Sequence, residues 1–501
     1  LVLSCETSEQ LDAGDNPAQA VAAQVVGEPL AATASVVRYN NNLSRDGVFV
    51  QPTLTKAAAA TMARDTSFNG TISGNVYASP LFVDGSPGVF VIATENNQVS
   101  VLNETTGNPV WQKTFGQPAG ASGAGCGNIA PIGITGTPVI DEATRTIYFN
   151  AAIGTSSAIT DHVIHAVSLD NGAERAGWPV SAKSITSAGE TFNPAPHNQR
   201  AALLLVGGIL YVAYSGHFGD CGTYRGWLIG IDTATRAVKA FKTGATRGGG
   251  IWGPSGPASD GTNVFVTTGN TFGASAWARG EAVIRTQPGP VFTGQTADFF
   301  TPTNWKTLDN SDLDLSGSGP LLVNAPAFTP SQLVIAFGKD GNVFAIDRNN
   351  LGGIGAQKAV RHAVNGQIVN ASAAVTTPAG TFVTMHGHRN ATGAGCPVGS
   401  GDLVTVKLSG TQISTVWCAN NGGQGSPIIT TTDAQGNGAL VWTAGAEGTN
   451  KIHAWDAVTG AVVFGGGTDT FAGVRRFTSP IAVKGRIIVA GNNKVFAFKP
   501  R

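Results

Sequence analysis

Charge is scarce in this chain. Lys, Arg, Asp and Glu together make up 12% of its 501 residues, against about 25% in an ordinary soluble protein. Basic and acidic residues balance at 31 each and no basic run of five or more occurs, so there is no electrostatic footprint for nucleic acid. Long apolar runs are also missing: none reaches the ~18 residues of a membrane-spanning helix. The five cysteines include no C-x-x-C pair, so a C-x-x-C-H haem attachment is absent. G-x-S-x-G and H-E-x-x-H are absent, and serine hydrolase and zincin readings have no support. Gly248 to Gly253 formally matches G-x-G-x-x-G, but no helical pattern follows, which excludes a dinucleotide fingerprint.

Glycine is abundant, with 67 residues, nearly twice the usual ~7%, and a hydrophobic share of 42% is ample for a core. That combination indicates many tight turns in a folded chain. The start, Leu1-Val2-Leu3-Ser4-Cys5, resembles the end of a bacterial lipoprotein signal peptide, which makes Cys5 the expected lipidation point; an apolar stub with an unrelated cysteine is the alternative. Residues 6–35, rich in Ala, Gln and acids, read as a flexible tether, with a short Ala-rich helix as the alternative. The domain reading is therefore 1–5 signal remnant, 6–35 linker and 36–501 folded body. Cys126, Cys221, Cys396 and Cys418 remain, an even number that suits an exported protein. Three pairings are open and free thiols are an alternative; the expected pairs are Cys396 with Cys418, on one repeat, and Cys126 with Cys221.

A repeat runs through the body. Its fullest copy is Ser79-Pro80-Leu81-Phe82-Val83, a turn, then VFVIATENNQVSVLNETTGNPVWQ. Further copies begin near Thr137, Ala201, Gly256, Gly319, Ala371, Ser426 and Ser479, at intervals of 52 to 64 residues. Each holds three or four short strands of β-branched and aromatic residues divided by Gly, Asn and Asp. One such sheet cannot bury both faces alone, so eight copies point to an all-β, eight-bladed β-propeller. The last copy ends at Arg501 without an outer strand, and SVVRYNNN or GVFVQPTLT, near residues 35–55, is expected to supply it.

The third to fifth copies resemble methanol dehydrogenase and related pyrroloquinoline-quinone (PQQ) alcohol dehydrogenases. The stretches concerned are Tyr224-Arg225-Gly226-Trp227-Leu228-Ile229-Gly230-Ile231-Asp232, Gly249-Gly250-Ile251-Trp252 with Val266-Thr267-Thr268-Gly269-Asn270, and Asp312-Leu313-Asp314 with Gly338-Lys339-Asp340-Gly341-Asn342. The resemblance implies that Trp252 stacks on the quinone. It makes Asn270, Asp314 and an acid near Asp220 calcium ligands, Asp314 the general base, and Lys339 the cation beside the quinone oxygens. Two departures stand out: the adjacent Cys-Cys pair of many family members is absent, and Gly219-Asp220-Cys221-Gly222 stands where the family has a calcium-binding glutamate. Each residue also has a structural reading. Asp314 could be a turn aspartate, Lys339-Asp340-Gly341-Asn342 a hairpin turn, Trp252 a core cap and Asn270 a strand-end turn residue. His386-Gly387-His388 sets two histidines on one strand face, the beginnings of a metal site at most.

Two functions follow as expectations. One is a periplasmic or surface quinoprotein that oxidises an alcohol or sugar with PQQ and calcium and passes electrons to a separate acceptor. It predicts that Trp252, Asn270, Asp314 and Lys339 converge. The other is a non-catalytic, lipid-anchored scaffold, like the propeller lipoprotein of outer-membrane barrel assembly, which binds envelope proteins or glycans. It predicts that those residues are dispersed or absorbed into turns.

Overall fold

The computed structural model describes residues 34–244 and 246–501. The signal remnant, Cys5 and nearly all of the 6–35 tether lie outside the described residues. The body forms eight blade sheets in a ring. The first blade shows the plan: Leu81–Val83, Val89–Ala93, Gln98–Asn103 and Pro109–Thr114 pair antiparallel in chain order from the axis outwards. The inner three strands carry Val, Ile, Leu and Phe on both faces, because a blade packs on two neighbours, whereas the outer strand is mostly exposed. Leu81, Val91, Val99 and Val101 of this blade meet Ile140, Ile147 and Phe149 of the next.

The Asn or Thr followed by Gly near the end of some repeats has a packing role. The Trp111 indole Nε1 donates to the Leu169 carbonyl of the following blade at 2.8 Å. A Cβ on Gly172 would lie 2.9 Å from the Trp111 ring, and this glycine has a φ of +65°. Glycine alone meets both constraints at low cost.

Ring closure differs from the sequence expectation. The outer strand of the last blade is Met62–Arg64, antiparallel to Lys494–Pro500, with Gly70–Thr71 adding to the same strand. Neither SVVRYNNN nor GVFVQPTLT supplies it. Those segments form a belt inside the ring, where inner strands present unpaired edges.

Apart from Arg45, the belt meets the blades in chain order. Val36 exchanges hydrogen bonds with Phe82, Val37 O accepts from Ile140 N, and the Arg45 Nη2 reaches Leu203 O. Leu43 O accepts from Ser259 N, Ser44 O from Leu322 N, Asp46 O from Ala374 N and Gly47 O from Ile429 N. Val48–Val50 then pairs parallel with Ile428–Thr431, and the Gln51 side chain donates to Ala482 O at 3.2 Å. Every inner strand is thus capped by one segment at an equivalent level. Edge groups that would otherwise be orphaned are satisfied. Within the belt, the buried Tyr39 hydroxyl meets Ser479 Oγ of the eighth blade's leading segment at 2.6 Å.

Candidate functional site

Antiparallel order places two loop sets on one end of the ring, those leading into each inner strand and those joining second to third strands. All five expected site residues come from these loops in blades three to five. Asp220 follows Ile209–Gly216, Trp252 precedes Ala258–Ser259, Asn270 follows Val264–Thr268, Asp314 precedes Leu321–Asn324 and Lys339 follows Gln332–Phe337.

Four of them are in direct contact. The Lys339 ammonium lies 2.5 Å from Asp314 Oδ2 and 2.9 Å from Asp312 Oδ1, and 5.4 Å from the centroid of the half-buried Trp252 ring. The Asn270 backbone N–H donates to Asp314 Oδ1 at 2.8 Å, and the Lys339 backbone N–H to the Asp314 carbonyl at 2.9 Å. Gly269 makes this approach feasible, since a Cβ there would sit 2.4 Å from Asp314 Oδ1. Asp220 stands apart from the four, with its carboxylate accepting from the Tyr224 hydroxyl at 2.6 Å.

Beside this group opens a cleft of about 550 Å³, whose wall includes Asp220, Arg247, Asn270, Phe272, Asp309 and Asp312. Asp314, Lys339 and Trp252 sit behind that wall and are joined to it through Asp312 and Asn270. The Cys126–Cys221 disulfide ties the Asp220 loop to the segment between the first two blades, and Cys396–Cys418 lies within the sixth blade, both as expected. His386 ends a strand and bonds Asp402, whereas His388 opens a one-turn helix, so the two histidines do not share a strand face. The Gly341 N–H to Gly338 O bond shows that Lys339 also sits in a hairpin turn.

Four further participants were missed in the sequence. Asp309, on the short helix Trp305–Asn310, accepts from the Thr271 hydroxyl at 2.8 Å and the Gly273 N–H at 2.6 Å. Glu281 is fully buried; Oε2 accepts from the Leu315 N–H at 2.8 Å while Oε1 has no partner. Arg247 donates to the Asp220 carbonyl and lays its guanidinium 4.2 Å from the centre of the Phe272 ring. The run Asp309-Asn310-Ser311-Asp312 gave a signal in its density of polar groups, but Arg247, Phe272 and Glu281 lie in segments with no pattern.

Burial raises the pKa of Asp220, and the charges of Asp314 and Asp312 add to the effect. Glu281 is raised well above the carboxylate range, first by burial and then by Asp314. For Lys339 burial acts to lower the pKa, but Asp314 and Asp312 outweigh it and hold the amine charged. The site therefore carries surplus negative charge. Asp220, Asn270 and Asp314 offer oxygen donors only, the chemistry that a hard divalent cation such as calcium prefers. Such an ion would offset the surplus. Among the described residues no three His, Cys, Asp or Glu side chains are already gathered as a metal cluster, so a cation would have to enlist the Asn270 amide and compete with Lys339 for Asp314.

No known family's profile matches the chain, and no curated protein sequence matches it. Solved structures do. Quinohemoprotein alcohol dehydrogenase from Comamonas testosteroni superposes with a TM-score of 0.64 at 14% identity, over 93% of this chain and 80% of that one. A europium-containing methanol dehydrogenase gives 0.66 at 16%, over 93% and 91%. BamB from Moraxella catarrhalis gives 0.51 at 13%, over 87% and 97%. In fold, the chain is an eight-bladed propeller of the kind seen in the quinoprotein alcohol and methanol dehydrogenases.

Proposed function

We propose that this chain is a quinoprotein-type oxidoreductase that takes an alcohol or a sugar in the cleft, with PQQ and calcium as cofactors and a separate protein as electron acceptor. The supporting observation is convergence: Lys339 reaches Asp314, Asp312 and the Trp252 face at once, and Asn270 binds the same Asp314 carboxylate. PQQ, when bound, supplies the two-electron acceptor. Asp314, oriented by the Lys339 ammonium and the Asn270 N–H, accepts the substrate's hydroxyl proton. Lys339 holds a fixed positive charge where negative charge develops. Trp252 offers a flat face, and Asp220 with Asn270 offers oxygen ligands on the cleft wall. The same reading assigns the protein to the bacterial cell envelope, periplasmic or surface, with a lipid on Cys5 as anchor.

A second reading, a scaffold for envelope proteins or glycans, draws on one observation: Asp312 and Asp314 already satisfy Lys339, as a purely structural turn would have it. One experiment separates the two. The protein is mixed with PQQ and calcium, freed of excess, and its quinone absorbance is read beside an Asp314→Ala, Lys339→Ala double variant. The double change removes both charges, so neither is left buried alone. Absorbance held by the wild type and lost by the variant is the expected result. A folded wild type that holds none overturns the quinoprotein reading in favour of the scaffold.

A further inference from the structure

The molecule contains two arginines near the axis that are treated in opposite ways, one of them, Arg45, buried and the other, Arg200, half-buried. Arg45, in the belt, gives its donors to the carbonyls of Pro257, Tyr39 and Leu203 at 2.8 to 2.9 Å. Arg200, just ahead of Leu204–Val206 in blade three, donates to no carbonyl or carboxylate among the described residues and joins no ion pair. Its guanidinium lies 4.8 Å from the centre of the Phe477 ring, in the segment that leads into blade eight. Those two blades are not neighbours. The side chain therefore reaches across the axis at this end of the ring, here called the axial mouth.

Two further arginines and two acids surround it. Arg475 lies 5.9 Å from the centre of the Tyr77 ring, and Arg476 is paired with Glu447 at 2.5 Å. Glu95 is fully buried and spends Oε2 on the Gly133 N–H at 2.6 Å and the Thr135 hydroxyl at 3.2 Å, while Oε1 has no partner. Burial pulls the Arg200 pKa down, Tyr77 and Glu95 act against that, and Arg476 adds to it. The buried Gln199 Oε1 beside it also lacks a partner.

We infer that the axial mouth is a second binding site, for a small carboxylate- or phosphate-bearing anion held by the Arg200 guanidinium. A planar donor fork without an acceptor, set where water is restricted, matches a bidentate oxyanion. The inference is independent of the quinone reading, since the cleft of blades three to five is acidic and draws on other residues.

The test is calorimetric titration with sodium succinate and, separately, inorganic phosphate, each against chloride of equal ionic strength. Saturable binding of at least one anion is expected, weakened about tenfold or more in Arg200→Ala, as loss of a charged hydrogen-bond pair requires. Succinate alone identifies a carboxylate ligand and phosphate alone a phosphoryl ligand. Glu95→Gln, which removes a neighbouring negative charge at pH 8 and leaves Arg200 in place, is expected to tighten binding. The inference fails if neither anion binds the wild type saturably, or if Arg200→Ala and Arg200→Gln, run together so that at least one folds, bind as the wild type does.

Discussion

Glu95 is a carboxylic acid with no exposed surface, and burial raises its pKa from 4.5 to about 7 against the opposing bonds of Gly133 and Thr135. The unfolded chain releases this proton near pH 4.5 and the folded chain keeps it to about pH 7. The folded state thus holds more protons between those values, and stability falls as pH rises through that window. The loss is on the order of 3 kcal/mol once both states are ionised. Glu95→Gln can keep the two accepted bonds without the charge. Its urea-unfolding free energy is expected to match the wild type at pH 4 and exceed it at pH 8; an equal free energy at both would mean Glu95 does not carry the slope. At this scale sequence reading reached residues that stand in a motif, such as Lys339 and Asp314, whose spacing along the chain survives folding. It did not reach Glu95, Arg200 or Glu281, because their character comes from neighbours far away in sequence.

The belt shows why elements were harder to place than to detect. GVFVQPTLT was legible as a strand, and Val48–Val50 is one, but buried on an inner edge and not on the expected outer one. Which edge it would occupy was not legible, since an apolar run fits the inner edge of blade seven as well as the outer edge of blade eight. Met62–Arg64 carries one large apolar side chain between an Ala-rich helical turn and Asp65, too little to announce a closing strand. Arg45 fixes the belt with no carboxylate to balance it; burial, with Arg38 adding to the effect, pulls its pKa down to about 9. Arg45→Met keeps the side-chain length but strands three buried carbonyls, at about 1–3 kcal/mol for each unsatisfied group. Denaturant unfolding is expected to show a loss of about 4 kcal/mol. A loss below about 1 kcal/mol would mean that water replaces the guanidinium and the belt is only loosely held.

At the scale of the molecule, the repeat made the eight-bladed ring legible, because each repeat copies one packing unit and neighbouring units must stack. What the repeat could not show is how the ring is tied together. Nearest-neighbour packing links each blade only to the next, whereas residues 36–51 touch all eight inner strands. The belt therefore converts a ring of pairwise contacts into one cooperative body. A chain that begins at Pro52 keeps the closing strand and every blade but exposes eight inner edges. It is expected to melt well below the full chain and over a broader range. A synthetic peptide of residues 34–51 added in trans should restore much of the difference, with a midpoint that rises with peptide concentration, as linkage requires of anything that binds only the folded state. If the shortened chain melts as the full chain does, blade-to-blade packing alone holds the ring, and the belt only fills its centre.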